Sequence, residues 1–448
     1  MPSAGDRMGT RIVHDLFGTP IQSQGRGFYV SLEFFAIVRG VLESNPQNLL
    51  SSEKSPIEYQ QISHDFARRI ATKGPISAET LSAAVSGDQT LDILHALFSS
   101  LIVEIPGRRK SPEWFAAHLY PFVGELVHYD AVRRRGEPKI ERYQFRDGGG
   151  WAYHVLRTDS DAERRESTAV LLTALLTDSN SALGRVAKAL HAHDAAPALI
   201  FADNSESETE NHEDLSPWPE HLRRGVNWIC GRSYSPKAKR TEQLMHWIPY
   251  CLARHELAVA RGHLDLDREY VTIDATRDLA NQLRANSQSL VRDFSWQITQ
   301  ALTSRAKELS AGDNADDATD RWSRFLEPNA KFTHSPKAFF LSTMAAVGAL
   351  NAASGKRHFT FKPPLLDALV CASIEPGAEV EYNEFLRQLF DKYALVISHR
   401  TASDTGLTLD IDAGVFSVNA EAFRSRLQQS GLLTHYSDAT RLVHAEMK

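Results

Sequence analysis

Along most of the chain, apolar residues recur every three or four positions, which is the spacing of one face of an α-helix. Ile62, Phe66 and Ile70 stand four apart, and Leu91, Leu94, Leu97, Phe98, Leu101, Ile102 and Ile105 keep the mixed rhythm. The longest stripe is Leu279, Leu283, Leu290, Phe294, Ile298, Leu302 and Leu309. It predicts a helix from Asp278 to about Leu309, roughly 45 Å long at 1.5 Å per residue. Ser111-Pro112, Ser216-Pro217 and Ser335-Pro336 read as helix starts. Serine caps free amides there, and proline is tolerated at the first helical position. One stretch departs from this pattern. Tyr143-Gln144-Phe145 and Trp151 to Leu156 flank Arg146-Asp147-Gly148-Gly149-Gly150, which predicts a small hairpin around a glycine-rich turn.

The clearest block of elements lies at the C-terminal end. Leu365, Leu366, Leu369 and Val370 form one helical face. Tyr382, Phe385, Leu386, Leu389, Phe390 and Tyr393 form a second, and Ala420, Phe423 and Leu427 a third. Gly431 follows as a C-cap, and Leu432 to Tyr436 and Arg441 to Ala445 read as two strands about Ser437-Asp438. Phe359 and Phe361 alternate with polar residues and would supply a third strand. Ala394 to Val418 separates the second and third helices by far more than a helix-turn-helix turn, and Leu407, Leu409 and Ile411 alternate as an inserted strand would. The expected fold is mainly α: a multi-helical body with one small β-hairpin and a C-terminal winged-helix-like α+β domain. The predicted boundaries are an N-terminal helical domain over 1–200, an acidic loop over 201–216, a central helical domain over 217–357 and the C-terminal domain over 358–448. Asn204 to Asp214 is too polar to bury a core, and Gly312 to Asp320 is a second acidic break.

Charge changes the meaning of that last domain. From Pro363 to Lys448 there are 12 Asp and Glu against 7 Lys and Arg, a net −5 within a whole-chain formal charge of −6. A duplex reader needs cations, because phosphate neutralisation dominates its affinity. The domain therefore predicts a protein partner. At 448 residues, 42% hydrophobic and 24% charged, the chain has the size and composition of a globular protein with two or three domains. Three cysteines without close pairs, no apolar leader core and no long uncharged apolar run make the cytoplasm the expected location.

Chemical motifs are sparse. Gly348 to Lys356 has the wrong glycine spacing for a Walker A loop and reads as a helix end. Cys230, His246, Cys251 and His255 supply two thiols and two imidazoles, a ligand set that suits zinc. Their spacing lacks the usual C-x₂-C and H-x₃₋₅-H pairs, and buried free cysteines are the competing reading. His191-Ala192-His193-Asp194 resembles a metal-hydrolase pair but follows a helical stripe, where histidine suits a helix C-terminus. Asp130 with Glu137-Pro138-Lys139 has part of a nuclease pattern, with proline where a catalytic strand should run. Two basic clusters could touch phosphates: Arg108, Arg109 and Lys110 with Arg133, Arg134 and Arg135, and Arg232, Lys237, Lys239 and Arg240 beside Arg223 and Arg224. A solvated face, or a contact to the acidic segments, is the other reading.

Phe361-Lys362-Pro363-Pro364-Leu365-Leu366-Asp367-Ala368-Leu369-Val370, Glu381-Tyr382-Asn383-Glu384-Phe385-Leu386, Phe390-Asp391-Lys392-Tyr393, Arg426 to Leu433 and Ser437-Asp438-Ala439 together resemble a known pattern. It is similar to the C-terminal part of accessory subunits in bacterial DNA-modification-linked restriction and anti-phage systems, nearest to the G-type subunit of phosphorothioation-dependent restriction. The resemblance covers the last fifth of the chain and implies a non-ATPase subunit beside a motor ATPase. Three functions follow as expectations: a non-catalytic scaffold docking partner proteins through the acidic domain, a DNA-binding component using the basic clusters, or a metal-dependent nuclease or hydrolase.

Overall fold

A computed structural model describes residues 4–23, 26–51, 57–60, 93, 96, 102–103, 118–119, 131–132, 139–140, 147–177, 198–201, 214–276, 282–312, 322–327, 329–352, 354–436 and 441–445. Its helices are α1 (Ala4–Phe17), α2 (Phe28–Ser44), α3 (Gly148–Arg157), α4 (Ala162–Leu176), α5 (Trp218–Gly231), α6 (Lys237–His263), α7 (Gln282–Gly312), α8 (His334–Val347), α9 (Pro363–Ser373), α10 (Tyr382–Tyr393), α11 (His399–Ser403) and α12 (Ala413–Gln429). The strands are short: β1 (Ile57–Gln60), β2 (Ile102–Val103), β3 (His118–Leu119), β4 (Ala131–Val132), β5 (Lys139–Ile140), β6 (Ala198–Phe201), β7 (Val271–Thr272), β8 (Glu379–Glu381), β9 (Leu395–Val396), β10 (Leu433–His435) and β11 (Arg441–His444). The protein is mainly helical with small sheets of few strands. β1 pairs with β6, β2 with β3 and β4 with β5, each antiparallel. The helical rhythm of residues 91–105 therefore gives way to a strand at Ile102–Val103.

α6 is the axis of the molecule. It packs against α1, α2, α3, α5, α7, α8 and α9. A helix surrounded on all sides is buried around its whole circumference, and 18 of its residues are buried. Pro249 lies inside it and has no N–H for the carbonyl of Met245. Ser31 of α2 supplies the missing donor, its hydroxyl lying 3.1 Å from Met245 O. The local helical defect thus becomes a tertiary contact.

The glycine run adopts a helix, not the expected hairpin turn. α3 begins at Gly148 and continues through Trp151 to Leu156, with Asp147 at φ 63° preceding it. The glycines are there for close approach. A Cβ on Gly149 would sit 2.3 Å from the backbone nitrogen of Phe34 and 2.6 Å from Glu33 Cβ on α2. The Glu33 carboxylate accepts the amides of Asp147 (3.1 Å) and Gly149 (2.8 Å), satisfying the exposed donors at the start of α3. Residues 143–146 lie outside the described residues.

The long amphipathic helix forms as expected, from Gln282 to Gly312, with Leu283, Phe294, Ile298 and Leu302 buried. Of the Ser-Pro starts, Ser216 accepts the Trp218 amide at 3.3 Å, ahead of α5. Ser335 lies inside α8, which begins one residue earlier. Ser111-Pro112 lies outside the described residues.

In the C-terminal segment the three helices and the closing strand pair are as the periodicity predicts, but the strand assignments change. β10, β11 and β8 form one antiparallel sheet in that order, so the third strand is Glu379–Glu381. Phe359 instead makes an isolated bridge to Leu350. Leu407–Leu409 is a 3-10 turn and not an inserted strand. Leu407 and Ile411 are buried there, while Leu409 is 89% exposed. The strand in that insertion is β9, which pairs in parallel with β7 of the central region. One cluster of buried side chains runs from Ile12 through the central helices to Val443, crossing the predicted boundary at 357–358.

Candidate functional site on the C-terminal segment

α12 occupies the position of the third helix before the strand pair, where helix-turn-helix proteins place their reading helix. Phe416, Asn419, Phe423 and Leu427 form its buried face. Asn419 fixes its orientation. Its amide donates to Ile273 O and Ile397 O, each at 2.9 Å, and its carbonyl accepts from the Ala275 amide at 2.8 Å. Asp412 caps the start through the Gly414 amide at 2.7 Å. Gly431, at φ 69°, ends it, with the Leu432 amide returning to Leu427 O at 2.9 Å. The buried face and both ends leave Ser417, Val418 and Glu421 toward solvent.

The two cations of α12, Arg424 and Arg426, are engaged within the protein. Arg424 pairs with Glu421. Arg426 donates to Thr360 Oγ1 at 2.9 Å and to Phe361 O at 3.1 Å. Among the described residues from 362 onward, the exposed acids are Glu375, Glu384, Asp391, Asp404, Asp410, Asp412 and Glu421, while the exposed cations are Lys362 and Arg400. The surface is therefore acidic in three dimensions as well as in composition. Val418 is 63% exposed and Leu409 89%, so apolar groups accompany the carboxylates.

The central basic cluster has a structural explanation. Arg232 is buried, and its guanidinium donates to Cys371 O (2.9 Å) and Ile374 O, the terminal carbonyls of α9. Arg240 donates to Cys230 O at 2.6 Å near the end of α5. Lys239 lies 3.0 Å from Asp367 and 3.4 Å from Glu242. Arg223 donates to Val155 O at 3.0 Å in the last turn of α3. Orphan carbonyls and the negative end of a helix dipole attract such cations. Arg232 is thus enclosed as a helix cap and is not presented to a phosphate. Lys237 is half-buried at the first position of α6. Arg108, Arg109, Lys110, Arg133, Arg134 and Arg135 lie outside the described residues, as do His191, His193, Asp130 and Glu137.

The four zinc candidates are not gathered into a ligand set. Among the described residues, no group of three or more His, Cys, Asp or Glu is arranged to hold a metal. Cys230 and Cys251 are buried, and burial pushes the Cys230 thiol up to about 12 and that of Cys251 well up, whereas zinc binds the thiolate. His246 Nδ1 donates to Val347 O at 2.8 Å. His255 Nδ1 lies 3.0 Å from Ser216 Oγ.

Spacing also conceals an aromatic cage at the junction of α5, α6 and α10. Arg254 is 1% exposed and lies 4.6 Å above the Trp218 ring, paired with Glu269. It also donates to Tyr250 Oη (3.1 Å) and Tyr393 O (3.2 Å). Trp218 stacks on Tyr393 at 5.8 Å. His221 sits edge-on to Tyr393 at 4.8 Å, and burial with the nearby Arg224 pulls its pKa down to about 3, so it is neutral. A cleft of about 140 Å³ opens beside the cage. Its other arginines are tied to backbone: Arg261 to Asp267 O, and Arg268 to Phe390 O and Asp391 O. The cleft therefore marks the clamp that holds the end of α10.

Comparison with family models, curated proteins and solved structures finds no match to this chain. No helix among the described residues is long and apolar enough to cross a membrane.

Proposed function

We propose that this protein is a non-catalytic docking subunit of a multi-protein bacterial restriction or anti-phage assembly. Its C-terminal segment acts as an acidic winged helix that binds a basic surface on a partner, and the partner class implied by the sequence resemblance is a motor ATPase. The element order supports the fold reading: helix, strand, two further main helices, then a strand pair whose sheet also takes in the first strand. The observation that carries the functional reading is the exposed charge of the C-terminal segment, seven acids against two cations among the described residues from 362 onward, with both arginines of α12 engaged within the protein. Phosphate would be repelled from such a surface, whereas a cationic protein surface would be drawn to it.

The test uses the tagged full chain in its native host, with Asp410→Lys and Glu421→Lys introduced together. Both side chains are exposed and the Glu421–Arg424 pair lies at the surface, so the melting temperature should fall only slightly. Recovery of the co-purifying ATPase should fall about tenfold or more, in line with loss of electrostatic complementarity. Undiminished recovery, or a co-purifying set without an ATPase, would overturn the proposal.

A further inference from the structure

A second surface has the opposite character. A cleft of about 210 Å³ lies where the middle of α7 meets the start of α8 and the loop before α9. Arg292, Ser295 and Trp296 come from α7, Asn329 and Lys337 from around the start of α8, and Arg357 from the loop. Among the described residues, the lining holds three cations and no Asp or Glu. Asp293, beside Arg292, lies outside the lining, 3.4 Å from the Ser289 hydroxyl.

Trp296 sets this cleft apart from a simple basic patch. Its side chain is 59% exposed, although Trp151, Trp218, Trp247 and Trp322 are all buried. Indole is a large apolar surface to leave in water, and a ligand ring that covers it would recover that area. Two residues away, Phe294 is 2% exposed and supplies the core contact of the same turn. Trp296 is therefore not needed to hold α7 in place. The hydroxyl of Ser295 donates to Val291 O at 2.8 Å, so its remaining polar capacity is as an acceptor. Asn329 adopts φ 58°, a backbone conformation that asparagine tolerates better than most residues.

We propose that this cleft binds single-stranded nucleic acid, with one base stacked on Trp296 and the flanking phosphates held by Arg292, Lys337 and Arg357. The combination of a stacking platform with a cationic rim is what an unpaired strand requires. A duplex keeps its base faces covered and offers the indole nothing to stack on. An acidic peptide would answer the cations but leave the indole without a planar partner. The site is independent of the acidic C-terminal surface, so either can fail without the other.

The test is fluorescence anisotropy of the full chain with a labelled oligothymidylate of about twelve nucleotides, within the range that single-strand sites cover. Binding at low salt should weaken with added salt at a log–log slope of about −2, as three phosphate contacts on a single strand imply. Trp296→Ala should weaken binding roughly 5- to 150-fold, the range set by one lost base stack, and Trp296→Tyr should restore most of it. Arg292→Glu with Lys337→Glu should abolish binding while the thermal melt is retained. The proposal is overturned if the wild-type chain does not bind the strand at low salt or if Trp296→Ala leaves affinity unchanged. Equal competition by a duplex or by polyglutamate would also overturn it.

Discussion

Glu256 stands inside α6 with no exposed surface, and among the described residues neither carboxylate oxygen has a hydrogen-bond partner. Burial pushes its pKa well above the ordinary value of 4.5. The native carboxyl is therefore protonated through a pH range in which the unfolded chain has already released its proton. A raised carboxyl contributes stability below the unfolded pKa and loses it as pH rises toward the native pKa. While the folded state holds one proton that the unfolded state lacks, stability falls by about 1.36 kcal/mol per pH unit. The loss begins above the unfolded carboxyl's range and ends where the native carboxyl itself ionises. Glu256→Gln removes the titration and leaves the other ionisable groups in place. Urea unfolding at pH 5.5, 6.5 and 7.5 should then give a stability difference, variant minus wild type, that rises with pH, by at most about 1.4 kcal/mol per unit. The prediction concerns the slope. A constant offset from burying an amide in place of an acid does not affect it. Parallel pH profiles for the two proteins would refute the reasoning, because they would mean that the native carboxyl ionises where the unfolded one does.

Two further outcomes follow from the packing. Glu269→Ala leaves the Arg254 guanidinium buried without its countercharge and should destabilise the protein by about 3–5 kcal/mol in urea unfolding; a loss below about 1 kcal/mol would place that charge in water instead. Gly149→Ala drives a methyl group into the backbone of α2 and should lower stability by at least about 1–3 kcal/mol, with a matching fall in melting temperature. An unchanged melt would mean that α2 and α3 can separate without penalty.

The C-terminal segment was the most legible part of the chain. The phase of α10 is written in Tyr382, Phe385, Leu386 and Leu389, all of which are buried as the spacing predicts. The end of α12 is written in Gly431. Local pattern succeeds there because α10 and α12 each bury one face and expose the other. The glycine run before Trp151 shows the opposite case. Gly148 to Gly150 carries the signal of a turn, yet the same absence of Cβ serves the contact between α2 and α3, and no local pattern separates the two uses. Arg232 and Arg240 misled for a related reason. A cluster of cations in sequence looks like a surface, whereas their partners are carbonyls at the ends of helices that the chain folds back to meet. The cleft around Trp296 gave no signal at all, because Arg292, Lys337 and Arg357 lie in three separate segments.

By itself, the sequence determined the helical character of the chain, the length and buried stripe of α7, and the acidity of the C-terminal segment. These are properties of spacing and composition, and neighbours along the chain decide them. Only the tertiary structure decided which charges remain at the surface. It encloses Arg232 and Arg254, binds Arg426 internally, and gathers Arg292, Lys337 and Arg357 beside an exposed indole. The reason is physical: a guanidinium is held wherever carbonyls or a carboxylate can replace its water, and folding brings such partners together from distant parts of the chain.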